Sequence, residues 1–138
     1  MDINIIRLLL DFGLLVLIWI IQRIVYPSFL HYNSDKLISW HNIYTKRFSA
    51  IVIPLMFGQL GIAFYQLITE VSLYAVISLA IISLIWISTF RIFVPIHANI
   101  SKGNGNQQML TTLVHKNWIR TILWTLLFIY SFIEVSDF

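Results

Sequence analysis

Two runs of sequence decide the fold: FSAIVIPLMFGQLGIAFYQLIT, Phe48 to Thr69, and VSLYAVISLAIISLIWISTF, Val71 to Phe90. Neither holds a charged residue, and only Glu70 stands between them. A hydrocarbon core roughly 30 Å thick takes about 20 apolar residues in a helix, so each run crosses it and Glu70 marks a short turn in water. Outward from this hairpin, two less clean segments are also expected to span. Leu8 to Tyr26 contains Asp11 and Arg23, and Thr121 to Ile133 lies between Arg120 and Glu134. Arginines near helix ends snorkel to the headgroups, so neither segment is disqualified. The 138 residues then form one transmembrane domain, an all-α integral membrane four-helix bundle, with spans at about 4–27, 48–69, 71–95 and 113–135. The connections fall at 28–47 and 96–112.

Composition agrees. The chain is 59% hydrophobic and 11% charged, with a mean hydropathy of +0.83, which is more apolar surface than a small water-soluble domain can bury. Its partner is therefore the lipid bilayer. A net charge of +3 gives no basis for nucleic-acid binding, and the absence of cysteine excludes disulfides, thiolate metal sites and cysteine nucleophiles. Asp2 and Asp11 are wrong for a cleaved signal peptide, so the first helix is expected to be retained. The basic residues sort to one side: Arg23, Lys36, Lys46, Arg47, Arg91, Lys102, Lys116 and Arg120 flank the two long connections, and Arg7 alone lies opposite. The positive-inside rule then places an inner, plasma-membrane protein with cytoplasmic connections and both termini outside.

The halves resemble each other. Leu17-Ile18-Trp19, Arg23, Pro27, His31 and then His41 through Arg47 are answered by Leu84-Ile85-Trp86, Arg91, Pro95, His97 and then His115 through Arg120. Such a pattern fits two similar helical hairpins related by an axis along the membrane normal, although interfacial preferences for Trp, Arg and Pro produce part of it. Asn33 before Asp35 reads as a helix cap, and Ser101-Lys-Gly-Asn-Gly-Asn106 as a turn before a helix from Gln107.

All four histidines, His31, His41, His97 and His115, fall at the connection ends of the helices. Imidazoles on facing helices bind transition metals or haem, so these four are the candidate metal ligands, although no Glu-x-x-His or Cys-x-x-Cys-His motif fixes a set. Tyr44 and Trp118 follow His41 and His115 at i+3 and would wall a pocket, while Arg23 and Arg91 would clamp a carboxylate, phosphate or haem propionate. An interfacial aromatic belt and snorkelling cations account for the same residues without a ligand. Deeper polar residues are costlier in lipid: Asp11 with Gln22, and Gln59 with Gln66, should face the bundle interior.

At Phe93-Val-Pro95-Ile-His97-Ala-Asn99 and Asn117-Trp118-Ile-Arg120-Thr121, with Tyr26-Pro27 and Pro54 in the first half, the chain resembles the anthrone-oxygenase-like family of small four-helix membrane proteins. The resemblance implies the bundle fold and oxidation of a polycyclic phenol by molecular oxygen, and it points to His97, Asn117 and Arg120 as catalytic positions. His97 stands where that family usually has asparagine. The expected function is thus a membrane-embedded oxidoreductase or oxygenase-like protein that binds haem, a metal ion or a hydrophobic quinone or phenol at the cytoplasmic helix ends. A small transporter or channel subunit, working as a homo-oligomer, and a structural subunit of a membrane complex are the alternatives.

Overall fold

The computed structural model describes residues 1–136, which are almost wholly helical. Four long helices, each long and apolar enough to cross a membrane, account for the described chain: α1 Ile3–His31, α2 Ser34–Thr69, α3 Leu73–Ser101 and α4 Gln107–Ser136. Each starts where a side chain can satisfy the orphan amides of its first turn. The Asp2 carboxylate accepts from the Asn4 amide, Asn33 from Lys36, Ser72 from Ala75 and Asn106 from Met109, at 2.8–3.1 Å. Short turns at Tyr32–Asn33 and Glu70–Ser72 make the helices antiparallel. α1 packs on α2 and α4, and α3 packs on the same two, so the helices form a ring in chain order.

The outside of this ring is apolar. Phe12, Val16, Ile24, Phe57, Phe64, Leu84, Phe90, Ile122 and Phe132 all stand exposed, a surface that only acyl chains would cover. Polar side chains are turned inward instead. Arg7, Asp11, Gln59, Asn117 and Thr121 have no exposure at all, as the cost of polar groups in lipid demands.

At the end carrying the chain termini, these groups close into one network. Arg7 Nε donates to both Asp11 oxygens at 3.0 and 3.1 Å, and Arg7 Nη1 donates to Gln66 Oε1 at 3.0 Å. Gln66 donates on to Asn4, Gln59 and Ser131 both donate to Asp11, and Tyr74 shares a hydrogen bond with Ser131. All four helices are thereby tied at one point. Arg7 and Asp11 stand i, i+4 on α1, and the full burial of their ion pair makes it structural rather than decorative.

α1 and α3 share a local distortion. Each carries a π-helical turn, Ile21–Val25 in α1 and Thr89–Phe93 in α3, just before Pro27 and Pro95. Proline cannot donate to the carbonyl four residues back, here Arg23 or Arg91, and its ring crowds that turn; the wider π turn relieves the crowding. One extra residue also rotates everything that follows by roughly 100°. In α3 the buried positions step by three or four through Ser78, Ile82, Ile85 and Ser88 and then jump to Phe93. The rotation turns Tyr26 in α1 and Phe93 in α3 toward the interior, while Arg23 and Arg91 stand exposed on the outside.

Removing Asp11 should strand the Arg7 charge in a dry interior. Asp11→Leu is expected to destabilise the bundle by about 3–5 kcal/mol in denaturant titration of detergent-solubilised protein, whereas the double Arg7→Leu/Asp11→Leu variant should recover most of that loss. A double variant that loses as much as Arg7→Leu and Asp11→Leu added together would show that the pair does not couple.

Candidate functional site

The connection half of the bundle is organised by a second arginine. Arg120, on α4 and 7% exposed, donates from Nε and Nη2 to Asn117 Oδ1 at 3.0 and 2.7 Å and lies over the Phe93 ring at 3.5 Å from its centroid. A guanidinium only donates, so it fixes the direction of each bond that follows. Asn117 must present its oxygen to Arg120 and therefore gives its amide N–H to Gln22 Oε1 at 2.9 Å. Gln22 accepts a further bond from Thr121 and donates to the Val114 carbonyl. This branch locks α1 to α4.

The second branch carries the chemistry. Arg120 Nη2 donates to Tyr26 Oη at 3.0 Å, which leaves the tyrosine hydrogen for His97 Nε2 at 2.8 Å. His97 must then be the Nδ1–H tautomer and donates to His41 Nε2 at 2.8 Å. His41, by the same logic, donates from Nδ1 to Ser101 Oγ at 2.9 Å. Donors and acceptors alternate without a break from Arg120 through Tyr26, His97 and His41 to Ser101, on helices α4, α1, α3, α2 and α3. From Tyr26 to Ser101 such a chain can pass a proton and emerge with these four members neutral and its polarity reversed.

Beside this chain lies a cavity of about 510 Å³, between α2 and α3 and backed by α1 and α4. Tyr26, Tyr44, His97 and Arg120 line its connection end, and Leu14, Ile18, Met56 and Trp86 line its deep end. Tyr44 packs edge-on against Phe29 and beside His41, so it forms a wall rather than a link in the chain. Arg120 is unusual here. Among the described residues the only ion pair is Arg7–Asp11, so Arg120 is a buried cation on the wall of an apolar cavity with no carboxylate beside it. Taking a charge out of water without a counter-ion is costly, and an anionic or strongly accepting oxygen entering the cavity would offset that cost.

The expected residues divide sharply. His41, His97, Asn117, Arg120 and Tyr44 converge on one site. His31 and His115 are exposed and take no part in it, because His31 falls in the 3-10 turn ending α1 and His115 on the outer face of α4. Arg23 and Arg91 are exposed too, on the outside of the bundle, so neither clamps a ligand here. Trp118 stacks edge-on with Trp19 away from the cavity and walls no pocket with Tyr44.

The four-histidine metal or haem site does not form. No cluster of three or more His, Cys, Asp or Glu side chains occurs among the described residues. His41 and His97 stack with ring centroids 5.0 Å apart and spend both nitrogens of each ring on hydrogen bonds, which leaves no lone pair aimed at a metal and no gap for a haem.

Tyr26 and Ser101, the links that complete the chain, were not candidates in the sequence. Tyr26 carried only its place before Pro27, and Ser101 read as the start of a turn; neither signal reveals a hydrogen bond made across helices.

Tyr26→Phe should break the chain at its second link, leave an Arg120 N–H and His97 Nε2 without partners, and cost about 1–3 kcal/mol of stability. Imidazole ¹⁵N spectra should show His41 and His97 as single Nδ1–H tautomers in the parent and as tautomer mixtures in the variant. Unchanged spectra would show that Arg120 does not set the polarity. No protein-family model, curated protein or solved structure matches the chain, so the functional reading stands on the geometry of the site itself.

Proposed function

We propose that the protein is a membrane-embedded, oxygenase-like oxidoreductase that activates a lipophilic phenol or quinol by taking its hydroxyl proton. The observation carrying this reading is the polarised chain from Arg120 to Ser101 on the wall of an apolar cavity. Tyr26 Oη, which accepts from Arg120 and donates to His97, has an acceptor site left for the hydroxyl of a bound phenol. As that proton moves to Tyr26, the tyrosine proton passes to His97 Nε2, the His97 Nδ1 proton to His41 Nε2, and the His41 Nδ1 proton to Ser101 Oγ, whose own hydroxyl proton leaves to water at the connection end. Arg120 holds the phenolate left behind. Stabilising a charge that develops during the reaction with a pre-set donor in a dry site is the strongest form of electrostatic assistance.

A phenolate yields electrons far more readily than its phenol. The acceptor implied by the anthrone-oxygenase-like resemblance is molecular oxygen, which is apolar and enters the bilayer freely. A quinol that gives up two electrons and two protons to it becomes a quinone, and the oxygen becomes hydrogen peroxide. The reading gives each of the positions the resemblance matches a role: His97 relays the proton, Arg120 holds the oxyanion and Asn117 orients Arg120. The positive-inside distribution puts the Ser101 end in the cytoplasm.

With tert-butylhydroquinone as substrate, protein in lipid nanodiscs should consume oxygen and release an equivalent of peroxide. Tyr26→Phe should slow this by about 100-fold or more, the scale on which a positioned proton acceptor contributes. Oxygen uptake no faster than in protein-free nanodiscs, or unaffected by Tyr26→Phe, would overturn the assignment.

A further inference from the structure

The shape of the cavity says more about its occupant than the head group does. We infer that the substrate is a tailed phenol, with its ring at Tyr26 and Arg120 and one long apolar chain lying along the groove between α2 and α3 toward the middle of the membrane. This rests on the phenol reading for the head and adds the tail.

Three observations carry it. The cavity is long rather than round. Its walls run from Thr45 to Phe57 on α2 and from Trp86 to Ser101 on α3, about 18 and 22 Å at 1.5 Å per residue. Its polarity is one-sided, since Tyr26, His97 and Arg120 sit at the connection end while Leu14, Ile18 and Met56 close the other. A bare phenol at the polar end would leave the apolar remainder of about 510 Å³ unfilled.

The third observation is the mouth. Ile53, Phe57, Phe90 and Val94 line the cavity and yet stand 47, 58, 59 and 50% exposed on the outer surface of the bundle. The groove thus opens sideways, where acyl chains lie, and a tailed molecule can slide in from the leaflet without leaving lipid. Its hydroxyl finds polar partners at Tyr26 and Arg120 and only apolar walls at the deep end, so the head is drawn to the connection end.

The test compares three probes in nanodiscs, each corrected for partition into protein-free discs: para-dodecylphenol, para-cresol and dodecanoic acid. Val52→Trp places bulk in the groove 12 Å or so beyond Tyr44, measured as eight residues of helix. It should weaken para-dodecylphenol about tenfold or more and leave para-cresol unchanged, with the thermal midpoint of the protein retained. Met56→Phe at the deep end supplies the same readout if Val52→Trp does not fold. Arg120→Gln should weaken both phenols alike.

Undiminished para-dodecylphenol binding in both groove variants would overturn the tail while para-cresol binding upholds the phenol head. Binding of dodecanoic acid alone, sensitive to Val52→Trp, would overturn the phenol head and uphold the tail. Binding of none of the three would overturn both.

Discussion

A guanidinium can give hydrogen bonds but never accept one, and the connection half of this protein follows from that constraint at Arg120. Its donors fix the amide orientation of Asn117, hence that of Gln22, and so lock α1 onto α4. The same constraint passes through Tyr26 to set the tautomers of His97 and His41. In water a solvent molecule could reverse any of these bonds at little cost. Here the partners are held between packed helices and bonded to one another, so one residue imposes its polarity on five side chains from all four helices.

The two buried arginines show how similar side chains serve different ends. Arg7 is held by a carboxylate on its own helix and by Gln66, in a network that Gln59 joins through Asp11 and that ties the bundle together. Arg120 has amide and hydroxyl partners, no carboxylate, and a cavity beside it. Between the two networks sits Trp124, whose indole donates to Gln59 Oε1 and can accept nothing in return. The polar interior is therefore two compartments, not a continuous path for protons. The compartment without a negative charge is the one that opens to the lipid, which is why the chemistry is assigned there.

Some of the site was legible in the sequence. His41, His97, Asn117, Arg120 and Tyr44 stood out as polar or aromatic residues near helix ends, and the four residues Asp11, Gln22, Gln59 and Gln66 were rightly turned inward by the cost of polarity in lipid. His31, His115, Arg23, Arg91 and Trp118 had the same credentials and lie elsewhere. Composition and spacing cannot separate the two groups, because an interfacial belt and a binding site draw on the same residue types. The π turns before Pro27 and Pro95 bring in Tyr26 and Phe93, which a regular helical period continued from Ile18 or Ile85 would turn aside.

The sequence by itself determined that the chain is a four-helix membrane bundle, because the length and apolarity of its helices answer directly to the thickness of the bilayer. It also determined that charge inside the bundle must be paired or bonded, since no lipid can solvate it. Only the tertiary structure decided which polar residues meet. Tyr26, His97, His41 and Ser101 come from three helices, and hydrogen bonds at 2.8–2.9 Å require each helix to be rotated to within a fraction of a turn. That rotation is fixed by π turns and by side chains packing across the ring, which are properties of the assembled bundle and not of any one segment.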